Sequence, residues 1–156
     1  MLQSAMRVPD HGKLAPWRFV VIQGDARQRL ADMIVVRRKS VEPDVTAQAL
    51  EKDALRFLHA PVIVVVIASL SAGHKIPEAE QTASASAVCM QLLNAAFAAH
   101  FGAQWLTGWA AYDAVITASL GLRANEHISG FIHIGSTDTA APDRTRPPLS
   151  EKLSHF

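Results

Sequence analysis

Val62-Ile63-Val64-Val65-Val66-Ile67 decides the fold of this 156-residue chain, because it is an uninterrupted run of β-branched residues directly after Pro61. A strand with one face in water alternates apolar and polar residues, whereas an unbroken apolar run is typical of a strand buried on both faces. The dense apolar stretch from 61 to 68 is also too short to cross a bilayer as a helix. The sequence therefore predicts a central strand with further structure packed against both of its faces.

Helices and further strands alternate on both sides of this run. β-branched runs bounded by glycine predict strands, and a capping residue followed by apolar positions at helical spacing predicts a helix. The predicted elements are, in chain order, a strand at 19–22, a helix from Asp25 through Ile34, a helix at 46–58, the central strand and a strand at 130–135. Strands separated by helices indicate a layered α/β or α+β domain whose sheet is covered by helices.

The stretch from 81 to 112 contains no Asp, Glu, Lys or Arg. Its first part, 82–99, is rich in Ala, Ser, Leu and Met and predicts a helix that has no solvent face. A domain of this size has trouble enclosing a helix completely, so the pattern favours an obligate homodimer with this helix at its centre. A central helix of a monomer is the alternative, whereas Gln91 and Asn94 argue against a membrane-spanning helix.

The composition is that of an ordinary globular protein, with 49% hydrophobic residues, 19% charged residues and a formal net charge of +1. We expect a single domain over 1–156. Because no basic stripe is present, the sequence gives no electrostatic footprint for nucleic acid or for a membrane surface, and a small molecule is the expected partner. Cys89 is the only cysteine and no secretory signal is recognisable, which together predict a cytoplasmic location.

A cationic loop precedes the first predicted strand. The segment Arg7-Val8-Pro9-Asp10-His11-Gly12-Lys13 is interrupted by Pro and Gly and leads into Pro16-Trp17-Arg18-Phe19. Basic side chains and free backbone N–H groups in such a loop suit a phosphate or an electron-rich ring. The alternative is that these are solvated surface groups.

Two later segments carry further candidates for binding. Trp105-Leu106-Thr107-Gly108 offers an aromatic ring and a hydroxyl against which a flat ring could lie, although an edge strand whose Trp fills the core is the alternative. In the tail, Arg144 and Arg146 stand one residue apart in an extended segment fixed by proline. Alternation would point both guanidinium groups the same way, as a phosphate clamp requires, and a solvated extension is again the alternative.

Together these motifs resemble the nitroreductase family of FMN-dependent oxidoreductases, most closely its small, minimal bacterial branch. The resemblance covers nearly the whole chain, from Met6 to Arg146, in the family's order and spacing. Its carriers are the cationic loop with Pro16-Trp17-Arg18-Phe19, then Ala60-Pro61, His74-Lys75-x-Pro77 with Glu80-Gln81, Gly102-x-x-Trp105-x-Thr107-Gly108, Gly130-Phe131-Ile132-x-Ile134-Gly135, and Arg144-x-Arg146.

The resemblance implies an α+β sandwich that forms a domain-interlocked homodimer, with an FMN in each of two clefts at the subunit interface. It implies that NAD(P)H gives a hydride to the flavin N5, leaves, and is replaced by an oxidant such as a nitroaromatic or a quinone, so that the flavin carries the chemistry and no side chain is catalytic. The implied cofactor-binding residues are Arg7 and His11 along the flavin, Trp105, Leu106 and Thr107 lining the ring from the other strand, and Arg144 and Arg146 at the phosphate.

The start of the chain departs from the family's pattern. The family opens with a helix whose Arg-Arg-Ser or Arg-Arg-Thr run holds the flavin phosphate, and this sequence begins after it, so we expect an N-terminally truncated domain. Arg37-Arg38-Lys39-Ser40 has a similar composition but follows the first predicted strand, and it predicts the cationic end of a helix. A non-catalytic, flavin-poor dimerisation or binding module on the same fold is therefore the alternative function.

Other chemistries have weaker support in the sequence. The histidines show no metal-like pairing, so no metal site is predicted. No G-x-G-x-x-G follows a strand, which argues against a Rossmann domain. Flavin fragmentation and reductive dehalogenation are further possibilities on this fold, but the branches that perform them carry lid insertions for which this chain has little room.

Overall fold

The computed structural model describes residues 1–139 and 142–156. Its strands are β1 (Trp17–Gln23), β2 (Val62–Ser69), β3 (Gly102–Leu106) and β4 (Glu126–Gly135). They form an antiparallel sheet in the order β1-β2-β4-β3. The helices are α1 (Leu2–Ala5), α2 (Asp25–Val41), α3 (Ala47–Leu58), α4 (Glu78–Ala98) and α5 (Ala114–Ser119), with 3₁₀ turns at His11–Lys13, Trp109–Ala111 and Leu149–Glu151. Each predicted strand and helix is present, and the antiparallel pairing makes the fold α+β.

The strand β2 lies inside the sheet and is buried on both faces, as its sequence predicts. Ile63, Val65 and Ile67 belong to a core shared with α2, α3 and α5, on one face of the sheet. Val64 and Val66 belong to a second core shared with α1 and α4, on the other face. The result is the predicted sandwich, in which a central sheet is covered by helices.

Several elements are longer than their apolar patterns predict. The strands β1 and β4 begin earlier than predicted, at Trp17 and Glu126, because β2 continues to Ser69. The pairs Trp17↔Ala68 and Ser69↔Glu126 extend the two antiparallel ladders beyond the apolar runs. The helix α2 continues beyond Ile34 to Val41, because Arg37 forms an ion pair with Asp113 at the start of α5. Such extensions depend on contacts between distant parts of the chain, which local periodicity does not register.

The predicted helix at 46–58 and the predicted cationic end of α2 are both present. Thr46 caps α3, and its hydroxyl oxygen accepts a hydrogen bond from Ala49 N at 3.2 Å. The run Arg37-Arg38-Lys39-Ser40 lies at the C-terminal end of α2, where cations interact favourably with the helix dipole. The run follows β1 in the chain, as the sequence analysis noted.

The helix α4 begins at Glu78 rather than at residue 82, because Gln81 N already donates to the Pro77 carbonyl, and its first turn carries Glu78 and Glu80 ahead of the uncharged stretch. Its inner face is buried against the sheet, whereas Met90 and Phe97 on the opposite side are 49% and 53% exposed. The single protomer therefore does not enclose α4, contrary to the expectation of a helix without a solvent face. An apolar, uncharged helix face lies open in the single chain, and burial of this face in a homodimer stays a prediction.

A buried ion pair ties the start of β1 to the start of β4. Arg18 donates from Nε and Nη2 to the two carboxylate oxygens of Glu126, at 2.8 and 2.7 Å. Ser69 Oγ and Arg123 N also donate to this carboxylate, at 2.7 and 2.8 Å. The Glu126 side chain is only 1% exposed. These hydrogen bonds, led by that from Arg18, lower the pKa of Glu126 to about 2.

Candidate functional site

The sheet brings the cationic loop and the end of β3 to the same end of the molecule, but on opposite edges. Trp17, which follows the loop, pairs with Ala68 of β2, and Leu106 pairs with Phe131 in β4. The antiparallel order therefore directs β3 toward the end of the sheet where β1 begins, and Leu106 lies level with Val20 in the middle of β1. β1 and β3 are separated by three strand spacings, about 14 Å.

The cationic loop has a fixed and strained backbone. Gly12, Lys13 and Ala15 all have positive φ, at 70°, 55° and 47°, a region that non-glycine residues rarely occupy. The Asp10 carboxylate holds the turn by accepting from Leu14 N at 3.1 Å and from Ala15 N at 2.9 Å. Strain of this kind persists only where surrounding contacts impose it, and it is concentrated at binding sites.

The loop is also attached to α4, through a pairing that the sequence analysis did not predict. His11 Nδ1 lies 2.7 Å from the Glu80 carboxylate, and Ser84 Oγ donates to the Pro9 carbonyl at 2.6 Å. The sequence contains both motifs, but nothing in their separation of 69 residues indicates that they meet. Arg7 and Lys13 are exposed, and neither forms an ion pair within the described ranges. The loop therefore presents cations to solvent on a fixed backbone.

Gln81, the second residue of the Glu80-Gln81 motif, has a structural role. Its side chain is 2% exposed. Its amide accepts from Ser71 N at 2.8 Å and donates to Ile76 O at 3.0 Å, which fixes the segment between β2 and α4. Ile76 in turn packs on Gly12, where a Cβ atom would lie 2.4 Å from Ile76 Cδ1. The motif thus supports the loop from beneath.

We expect Asp10→Ala to lower the free energy of unfolding by about 1–2 kcal/mol, because two backbone N–H groups lose the carboxylate that caps them. Freed from this restraint, Lys13 and Ala15 should leave the left-handed region, and tryptic cleavage after Lys13 should become faster. Urea unfolding and limited proteolysis measure the two effects. Asp10→Asn keeps one acceptor and should lose less stability than Asp10→Ala; equal losses for the two variants would contradict this account.

Trp105, predicted to line the flavin ring, has its indole packed on β4, and its contact with the cofactor stays a prediction. Its indole Nε1 donates to Ser129 O at 3.0 Å, and the ring lies over Gly130 of β4. It is half-buried and contacts the core between the sheet and α4. The alternative of an edge strand whose Trp fills the core therefore describes this side chain.

The residues after Trp105 remain accessible. Leu106 is half-buried and Thr107 is exposed. Among the described strands β3 pairs only with β4, so the outer edge of β3 keeps unpaired backbone N–H and C=O groups. Arg56 of α3, which the sequence analysis did not single out, reaches this turn: its Nη1 lies 3.5 Å from Thr107 O and would be 2.7 Å from a Cβ placed on Gly108. An open strand edge and a nearby guanidinium suit a planar polar ligand.

Arg144 and Arg146 are exposed in the tail, and their hydrogen bonds stay within it. Arg146 Nη1 donates to the Arg144 carbonyl at 2.5 Å and lies 3.5 Å from an Asp143 carboxylate oxygen. In this arrangement the two guanidinium groups do not form a joint clamp, as the solvated-extension alternative describes. Their binding of a phosphate stays a prediction.

Comparison with known proteins decides the family. The family model described as "Nitroreductase family" matches residues 1–136 of the chain. The chain belongs to the nitroreductase family. An Escherichia coli (strain K12) protein named as the NAD(P)H nitroreductase YdjA is 32% identical over 151 residues, which span 93% of this chain and 81% of that protein.

Two solved structures of this family have the same fold. A nitroreductase-like protein from Bacillus cereus is 25% identical and superposes with a TM-score of 0.82, over 99% of this chain and 81% of that one. The FMN-dependent nitroreductase NfnB from Mycobacterium smegmatis, in complex with NADPH, is 19% identical with a TM-score of 0.74, over 99% and 85% of the two chains. The family and fold class predicted from the sequence are confirmed, and the chain is an oxidoreductase of the nitroreductase type.

Two kinds of feature are absent from the part of the chain that the structure describes. No helix in 1–139 and 142–156 is long and apolar enough to cross a membrane. The same ranges contain no cluster of three His, Cys, Asp or Glu side chains arranged to hold a metal ion.

Proposed function

We propose that this nitroreductase, as a single cytoplasmic domain, binds FMN and passes electrons from NAD(P)H to small acceptors such as nitroaromatics and quinones. Family membership supports a flavin-dependent oxidoreductase, and the relatives described above are named for NAD(P)H, or bind NADPH and depend on FMN. The observation that carries the proposal is the fixed cationic loop at the same end of the sheet as the open edge of β3. Its cations have no acidic partner at Arg7 and Lys13 among the described residues.

The residues of the loop and of β3 fit FMN in different ways. Arg7 and Lys13 would place positive charge beside the flavin, which favours electron density on the ring and raises its tendency to be reduced, and His11 would lie along the flavin. The open backbone edge at Leu106 and Thr107 would offer hydrogen bonds to the ring's polar margin. The bound flavin would accept a hydride from NAD(P)H and return two electrons to the acceptor. The protein would hold, orient and polarise the flavin, and no side chain would react.

The separation of these segments supports a homodimer. Within one protomer the loop and Thr107 belong to opposite edges of the sheet, since β1 and β3 are three strand spacings, about 14 Å, apart. A second copy could bring its loop to the Thr107 of the first, so that each flavin would contact both chains. The open face of α4, with Met90 and Phe97 exposed, offers the apolar surface that such an interface needs. Arg144 and Arg146 would reach the phosphate by leaving their contacts within the tail.

The test is the visible absorption spectrum of the purified protein, titrated first with FMN and then with NADPH or NADH in the absence of air. We expect perturbed flavin bands with saturable binding, and bleaching of these bands by one of the reduced nucleotides. Arg7→Gln should weaken FMN binding about tenfold through the loss of a charge-assisted contact. Arg29→Gln, which removes an exposed arginine from α2, is the matched control and should bind FMN normally.

A protein that binds no added FMN, or whose bound FMN neither nucleotide reduces, would refute the proposal. The first of these outcomes would favour the flavin-poor dimerisation module. Sedimentation would then show whether the homodimer survives without the cofactor.

A further inference from the structure

The contact between His11 and Glu80 joins the cationic loop to the first turn of α4. His11 Nδ1 lies 2.7 Å from a carboxylate oxygen of Glu80, and the two side chains are 64% and 51% exposed. Glu80 and Ser84 are four residues apart and therefore lie on the same face of α4, where Ser84 also holds the loop through the Pro9 carbonyl. One face of α4 thus contacts the loop at two points.

The His11–Glu80 pair is not what keeps the loop in place. Ion pairs between exposed side chains contribute little to stability. The loop backbone is held by other contacts, because Asp10 accepts from two backbone N–H groups and Ile76 packs beneath Gly12. The property that depends on Glu80 is the state of the His11 ring.

The Glu80 carboxylate decides which nitrogen of His11 carries the proton. An ionised carboxylate has no hydrogen to donate, so the hydrogen bond requires that His11 Nδ1 donates. A neutral imidazole has one N–H group, and when this group is at Nδ1 the Nε2 atom has a lone pair and can only accept. Nε2 of His11 forms no hydrogen bond within residues 1–139 and 142–156. The neutral ring therefore offers a free acceptor on the side away from Glu80.

His74 has the opposite arrangement in the segment just before α4. Its Nδ1 accepts a hydrogen bond from Ile76 N at 3.1 Å, so the proton of its neutral ring is on Nε2. The two histidines are therefore expected to be different tautomers. His74 provides an internal reference for the state of His11.

We propose that Glu80 is a positioning residue of the flavin site, which keeps the proton of His11 on Nδ1 so that Nε2 accepts a hydrogen bond from FMN. The inference rests on the proposed binding of FMN beside the cationic loop. Arg7 and Lys13 carry only donors, so His11 supplies an acceptor beside them. The polar edge of an oxidised flavin ring places an N3–H group between two carbonyl oxygens, which a set of donors and one acceptor complements. The ribityl hydroxyls are the other donors of FMN.

Nitrogen NMR of protein labelled in its histidine rings tests the tautomer, because a protonated ring nitrogen and one with a lone pair have well-separated chemical shifts. Spectra are recorded at about pH 9, above the range in which imidazoles ordinarily titrate. The His11 signals are identified by their absence from His11→Phe. We expect a protonated Nδ1 in His11 and a protonated Nε2 in His74. Addition of FMN should shift the His11 Nε2 signal.

Glu80→Gln tests the consequence for FMN binding, with Glu78→Gln as the matched control. Each substitution removes one exposed carboxylate from the first turn of α4, but Glu78 forms no ion pair within the described ranges. Charge by itself predicts that either loss strengthens the binding of an anionic cofactor. We expect Glu78→Gln to bind FMN at least as tightly as the unmodified protein. Glu80→Gln should bind it about fivefold more weakly, because an amide can both donate and accept and so permits both tautomers of His11.

A flavin methylated at N3 identifies the donor. If the ring N3–H group is the partner of His11, 3-methyl-FMN should bind the unmodified protein and Glu80→Gln equally weakly. If a ribityl hydroxyl is the partner, the difference between the two proteins should persist with 3-methyl-FMN. Either result upholds the role of His11 as an acceptor.

Three results would overturn the inference. A proton on Nε2 of His11 in the unmodified protein would show that Glu80 does not set the tautomer. Equal FMN affinities of Glu80→Gln and Glu78→Gln would remove the role of Glu80 and leave the proposed function standing. An unmodified protein that bound no FMN would defeat the proposed function and this inference together, even with the His11 proton on Nδ1.

Discussion

Replacing Gly130 by alanine is expected to lower the free energy of unfolding by about 2–3 kcal/mol, because the new methyl group would collide with the Trp105 indole. A Cβ atom at this position would lie 2.1 Å from Trp105 Nε1 and 2.4 Å from its Cδ1. The ring would have to swing off β4, and it would lose both its hydrogen bond to Ser129 O and its contacts with the core. Urea unfolding measures the loss.

A double-mutant cycle separates this collision from a general intolerance of β4. In a Trp105→Leu background the space over Gly130 is free, so Gly130→Ala should cost less than about 1 kcal/mol, which leaves a coupling of about 2 kcal/mol. Ser129→Ala is the matched control on the same strand. It removes a buried hydroxyl that has no partner among the described residues, and it should change stability by less than about 0.5 kcal/mol. A full penalty for Gly130→Ala in the Trp105→Leu background would contradict the assignment.

The same substitution bears on the proposed function. Trp105 precedes Leu106 and Thr107, whose backbone edge is proposed to bind the flavin. Displacing the indole should therefore weaken FMN binding as well, measured by the absorbance titration described above. A loss of stability with unchanged FMN affinity would separate the packing role of Trp105 from the flavin site.

Glu126→Gln is the second substitution with a large expected effect, a loss of about 2–3 kcal/mol near pH 7. The carboxylate is buried and accepts four hydrogen bonds, two of them from Arg18. Glutamine keeps the shape but removes the charge and turns an NH₂ group toward either the guanidinium or another donor. Arg18 is 29% exposed and can recover part of its hydration, which keeps the loss below that of a fully buried pair.

The effect of Glu126 depends on pH with a definite sign. Its pKa in the folded protein is about 2, below the ordinary value of 4.5, so the unfolded chain binds the proton more readily. The stability that this carboxylate contributes is complete above about pH 5 and is lost as the pH falls toward 2. The difference in unfolding free energy between the unmodified protein and Glu126→Gln should therefore shrink over this interval.

The matched control is Glu42→Gln. Glu42 also pairs with an arginine, Arg38, but its side chain is 50% exposed. Exposed ion pairs contribute little, so this variant should lose no more than about 0.5 kcal/mol. If Glu126→Gln behaved like Glu42→Gln, the buried network at the start of β1 and β4 would not have the importance assigned to it.

Several elements of the fold can be predicted from the sequence because each depends on residues that are close together in the chain. The β2 run, the Thr46 cap and the cationic end of α2 each depend on residues within a few positions of one another. The extensions of β1, β4 and α2 are not readable in this way, because they depend on Ser69, Glu126 and Asp113, which lie far along the chain.

The candidate site likewise has features that the sequence predicts and features that only the structure shows. Its residue types are visible in the sequence, since a cationic Pro- and Gly-interrupted loop and an aromatic strand are recognisable as such. The packing of Trp105 is not visible in the sequence, because an indole near the end of a strand could line a flat ligand or fill the core. Its close approach to Gly130 is seen only in the structure. The pairing of His11 with Glu80 and the burial of His133 have no local signature.

The sequence by itself determined a layered fold of strands and helices, the two-faced burial of β2 and, through its ordered motifs, the nitroreductase family with its α+β sandwich. The tertiary structure alone decided that the cationic loop and Thr107 lie on opposite edges of one sheet, that Met90 and Phe97 of α4 stay exposed, and that His133 is buried. The physical reason is the separation along the chain between the residues that interact. Periodicity and capping act between neighbours in the chain, whereas strand register, helix packing and burial depend on residues that only folding brings together.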